Sequence, residues 1–88
     1  MEEYKEPAQF DKKLLLEIVK MKMPFGKYKG ILIADLPIFY LEWFLRKGGF
    51  PPGKLGVLMA TTYEIKNNGL QEIIIKLKTL VNSKPRYK

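Results

Sequence analysis

The sequence predicts a small, mainly helical α+β domain: an N-terminal helix, one β-hairpin, then three helices. Three observations carry that expectation. Apolar residues recur at three-and-four spacing along the stretches read as helices. Glycine or proline punctuates the boundaries between them. One short stretch, residues 23–30 (M-P-F-G-K-Y-K-G), brackets Lys-Tyr-Lys with two glycines and has apolar flanks, the pattern of a hairpin tip. A length of 88 residues fits one domain, which at that size buries roughly 60–65% of its unfolded surface. With 47% apolar and 12% aromatic residues, the chain has the material for a packed core.

Taken in order, residues 1–9 are polar and acidic and read as a loose lead-in to a globular domain over 10–81. The first helix is expected over 10–21, with Asp11 as cap and Phe10, Leu14, Leu15, Ile18 and Val19 on one face. Pro24 stops it. In the hairpin, Gly26 and Gly30 supply the corners, with Met23 and Phe25 before and Ile31 to Ile33 after. The second helix is expected over 37–47, with Pro37 in its first turn and Asp35 placed to cap it. It is apolar nearly all round, which marks it as the hub of the core; Glu42 and Arg46 form its polar stripe as an i,i+4 pair. Phe39, Trp43 and Phe44 read as core residues in that helix, and Phe25 before it likewise.

Gly48 and Gly49 end the second helix, and Phe-Pro-Pro-Gly at 50–53 makes a stiff corner. A third helix over 54–67 carries Leu55, Leu58, Met59, Thr62 and Ile65 on one face and stops at Gly69. A fourth over 70–81 has Leu70, Ile73, Ile74, Leu77, Leu80 and Val81 in register, before a basic tail at 82–88.

Composition narrows the chemistry. The sequence has no cysteine and no histidine, which removes thiolate and imidazole metal ligands, disulfides, and the usual nucleophile–base pairs. The nine acids are scattered, Ser83 is the sole serine, and neither a G-x-G-x-x-G nor a Walker loop occurs. A non-enzymatic protein without cofactor or metal is expected. Residues 1–10 have no basic or apolar leader pattern, and no apolar run approaches the ~20 residues of a membrane span, so a cytoplasmic protein is expected.

The net charge of +7 favours polyanionic partners. Lys20, Lys22, Lys27 and Lys29 fall within ten residues without an acid among them. If residues 27–29 are extended, Lys27 and Lys29 share one side, next to the amides of Gly26 and Gly30, an arrangement suited to phosphate. Tyr28 then stacks on a base or, the commoner arrangement, lies across the neighbouring helix. A second cluster is Arg46, Lys47 and Lys54; a third is Lys76, Lys78, Lys84, Arg86 and Lys88. The blander reading of every cluster is a solvated surface that keeps the protein soluble.

The motifs M-P-F-G-K-Y-K-G, L-I-A-D-L-P, Y-L-E-W-F and Y-E-I-K-N-N-G-L together resemble a family of short bacterial proteins labelled putative quorum-sensing-regulated virulence factors, largely uncharacterised. This resemblance spans residues 24–77. Residues 25–44 also resemble the small C-terminal module of exodeoxyribonuclease X-like proteins, which implies a nucleic-acid-handling accessory domain with a nuclease or other protein supplied in trans. Carried over, the interest falls on Phe25, Gly26, Lys27, Tyr28, Lys29, Gly30, Leu36, Pro37, Tyr40, Leu41 and Trp43. Two departures stand out. Ile31 sits where relatives often carry a polar or basic residue. Ile38 and Phe39 follow Pro37 where relatives tend to be polar or acidic, which points to a buried or partner-covered helix start.

The expectation is therefore a nucleic-acid-binding module, for DNA or RNA, with Lys22, Gly26, Lys27, Tyr28, Lys29, Gly30, Arg46, Lys47 and Lys54 as candidate contacts. The alternative is a protein-interaction module or homodimer using an apolar helical surface.

Overall fold

The computed structural model describes residues 11–82; the expected lead-in, the expected start of the first helix at Phe10, and the cations of the tail at 84, 86 and 88 lie outside them. Four α-helices follow in order: α1 (Lys12–Ile18), α2 (Ile38–Arg46), α3 (Gly53–Asn67) and α4 (Gln71–Asn82), with a 3₁₀ turn at Ile33–Asp35 between α1 and α2. Local signals set several of their ends. Asp11 caps α1, its carboxylate accepting from the Lys13 amide at 2.9 Å. Gly69, at φ 69°, ends α3, with the Leu70 amide reaching back to the Ile65 carbonyl at 2.9 Å. Gly49 closes α2 the same way on the Phe44 carbonyl at 2.8 Å.

The hairpin expectation is overturned. Among the described residues there is no strand and no sheet, so the fold is all-α and not α+β. What remains of the hairpin is one antiparallel bridge between Lys22 and Leu32. The Met23 amide donates to the Ile31 carbonyl and the Gly30 amide to the Met23 carbonyl, both at 2.8 Å. Beyond that base the chain folds into turns, with Lys29 N–H on Gly26 and Ile31 N–H on Tyr28. Pro24 has no N–H to offer a ladder, and the turns consume the residues that would have extended it. Residues 27–29 are consequently not extended, and alternation does not set the directions of Lys27 and Lys29.

The hub is α3 rather than α2. It packs against α1, α2, α4 and the 3₁₀ turn, and buries Gly56, Leu58, Met59, Thr61, Thr62 and Ile65. Small residues along it let neighbouring backbones close in. Gly56 lies directly beneath the Pro51 carbonyl. By contrast α2 fully buries only Leu41. Neither expected polar device on α2 forms: its N-cap is Pro37 without a side-chain bond, Asp35 pairing instead with Lys78. The ion pairs among the described residues are Lys54–Glu17 and Lys78–Asp35, so Glu42 and Arg46 are not joined.

Candidate functional site

The turns at 25–30 lie against one side of α2, and between them runs a half-open groove of about 640 Å³. Its walls are Phe25, Gly26, Lys27 and Tyr28 from the turns, and Phe39, Tyr40, Trp43, Phe44 and Arg46 from α2. That volume falls among the ~300–1,000 Å³ of ordinary ligand clefts. The helix contributes Phe39 and Trp43 at i and i+4, on one face.

Gly26 is what allows the two walls to meet. Its φ is 81°, and a Cβ there would stand 3.2 Å from the Tyr40 hydroxyl. With that approach made, Tyr28 packs on Tyr40 at 4.6 Å between ring centroids. Tyr40 meets Phe44 edge-on at 5.2 Å, and Phe44 meets Trp43 edge-on at 5.1 Å. Each T-shaped contact sets the electropositive rim of one ring on the face of another, which holds the row in place. Burial, helped by neighbouring Tyr28, raises the Tyr40 hydroxyl above its usual pKa.

The cations are distributed unevenly around this row. Lys27 sits with its ammonium 5.7 Å from the Tyr28 ring centre, and Lys47 stands 5.8 Å from that of Trp43. Arg46 lines the groove directly, and none of the lining residues is acidic. Of the sequence candidates, then, Gly26, Lys27, Tyr28 and Arg46 converge, and Lys47 joins them through Trp43. Lys22, Lys29 and Gly30 lie off the groove wall. The Gly30 amide, expected to face an anion, already donates to Met23. Lys54 is held at 3.0 Å by the Glu17 carboxylate, on the α1 side of the molecule.

The aromatic half of the site was misread from sequence. Phe39 is 62% exposed, Phe25 46% and Trp43 44%, so these three are surface residues, not core. The available signal was the circumference of α2: in a chain of 88 residues, a helix apolar nearly all round is not covered on every side and leaves rings in water. The hairpin tyrosine behaves as the commoner reading has it, lying across α2, while still forming part of the groove wall.

Among the described residues, no cluster of three or more acidic, histidine or cysteine side chains could hold a metal ion, and no helix is long and apolar enough to cross a membrane. No solved structure matches the chain. It is 53% identical over 68 residues to the "Uncharacterized protein YpeB" of Escherichia coli strain K12, an alignment covering 77% of this chain and 94% of that protein. The protein of the same name in Escherichia coli O157:H7 matches to the same extent. A family profile described as "Putative quorum-sensing-regulated virulence factor" matches residues 11–77, and the chain belongs to that family.

Proposed function

We propose that the chain is a small, non-enzymatic, cytoplasmic nucleic-acid-binding or accessory module that contacts phosphates through the basic turns at 26–30 and the neighbouring end of α2. The observation that carries this reading is the convergence of Lys27 and Arg46 on one groove with no acidic lining residue. Lys47 adds charge at the Trp43 edge, and Lys29 lies exposed on the adjoining turn. A net charge of +7 supplies long-range attraction to any polyanion. The resemblance of residues 25–44 to the C-terminal module of exodeoxyribonuclease X-like proteins supports a role beside a nuclease provided in trans.

Fluorescence anisotropy with labelled single-stranded DNA, duplex DNA and RNA at two salt concentrations tests it. Binding should weaken with salt, at a log–log slope of about −0.7 to −0.9 per phosphate contacted. Lys27→Glu combined with Lys29→Glu should abolish it while circular dichroism stays unchanged. Affinity that survives this double change removes the turn from the interface.

A second reading has its own support in the exposure of Phe39, since apolar patches left open mark partner surfaces. On it the same face of α2 covers a protein partner or a second copy of the chain. Sedimentation over a range of concentrations separates the two: a salt-insensitive dimer without oligonucleotide affinity favours the second.

A further inference from the structure

We infer that the groove is a stacking clamp for unpaired bases, so that the module selects single strands over duplex; this rests on the nucleic-acid reading of the same groove. The phosphate contacts alone would not discriminate, because every nucleic acid carries them. The aromatic wall does. Phe39 and Trp43 line the groove from one side of α2, both exposed, and Phe25 stands exposed on the opposite wall. A planar, apolar occupant is what such walls accept. The cations set beside those rings favour an occupant that is anionic as well. An oligonucleotide with its bases free meets both conditions in one chain, and base–aromatic contact next to positive charge is the physical basis of sequence-tolerant strand binding. In a duplex the faces of the bases are already stacked on one another, and only edges reach the grooves.

The geometry gives the wall a fixed shape before anything binds. Trp43 and Phe44 stand at right angles, 88° between ring planes, and Trp43 is still 44% exposed. Lys47 sets its ammonium over the Trp43 ring, 5.8 Å from the ring centre, so a base that stacks on that face displaces the ammonium toward its own phosphate. Arg46, one residue earlier, adds a planar guanidinium able to stack or to grip phosphate.

Trp43 is the sole tryptophan of the chain, so its emission reports on this groove alone. The test titrates the protein with three probes: a dT oligonucleotide of about ten nucleotides, an abasic deoxyribose-phosphate oligomer of equal length, and a duplex. The dT strand should quench Trp43 and bind roughly tenfold more tightly than the abasic oligomer or the duplex. Phe39→Ala, an exposed substitution that keeps the reporter, should lose about that factor for dT and nothing for the abasic oligomer. Equal affinity for all three, dT binding without a change in emission, or an indifferent Phe39→Ala overturns the clamp and leaves the phosphate reading standing. Failure of every oligonucleotide to bind overturns both. An emission shift that follows protein concentration without any nucleic acid overturns the clamp in favour of self-association.

Discussion

A methyl group added to Gly56 would overlap the Pro51 carbonyl oxygen and lie 3.0 Å from its carbon, both backbone atoms that no side-chain rotation can move aside. In an exposed helix an alanine would be about 1 kcal/mol better than glycine. Here the contact reverses the sign. Gly56→Ala is expected to destabilise by about 2–3 kcal/mol, as overpacked cores do, read as a lowered urea midpoint without loss of helical signal in the remaining folded fraction. The requirement at Gly26 is different in kind. There the positive φ strains any side chain, and the Tyr40 hydroxyl, 3.2 Å from the added carbon, has to give by a few tenths of an ångström.

At the scale of elements, the 3₁₀ turn is held by lysines from two different helices. Lys66 of α3 donates to the Leu36 carbonyl at 2.8 Å, and Lys78 of α4 to the Asp35 carboxylate at 2.6 Å. The first bond is part-buried and satisfies the backbone of a fully buried residue; the second faces water. Lys66→Met should therefore cost about 1–2 kcal/mol, a charged hydrogen bond with an orphaned carbonyl left behind. Lys78→Met should cost under about 1 kcal/mol, as exposed pairs do. Urea unfolding of the two variants side by side checks the order.

These contacts also show what the sequence could and could not disclose. The Asp11 cap and the Gly69 stop depend on residues within one or two turns, and the helix cores followed from local spacing. Asp35 pairs with a lysine 43 positions away, so its expected role as a cap had no local contradiction. The turns at 26–30 were legible from their glycines. Whether strands flanked them was decided by Pro24 and by the packing of Met23, which is 1% exposed. The lysines of the site were visible as a run. Its rings were hidden, because exposure on α2 depends on how far α3 and the turns extend over it.

For the molecule as a whole, pH dependence at the alkaline end comes from groups with opposite signs. Tyr40 has a raised pKa, mainly through burial, so the folded state holds its proton more tightly than the unfolded chain does. Its contribution is complete below pH 10 and is lost as the pH climbs through the folded value. Lys66 is lowered, again chiefly by desolvation, with Asp35 opposing and Lys78 assisting. Its cost is full below its folded pKa and is relieved as the pH approaches 10.5. Tyr40→Phe should thus gain stability relative to the parent as the pH rises past 10 and show no such gain at pH 7 or 9. Unfolding free energies at pH 7, 9 and 11 provide the comparison.

Met23 gives both of its backbone groups to the base of the loop and its side chain to the interior. A free strand margin is the usual template on which identical molecules add to one another and grow into fibrils. Among the described residues this fold offers no such margin, because its one bridged pair is followed at once by tight turns. Over the described residues, large aromatic rings therefore face water without an open strand edge beside them to seed polymerisation.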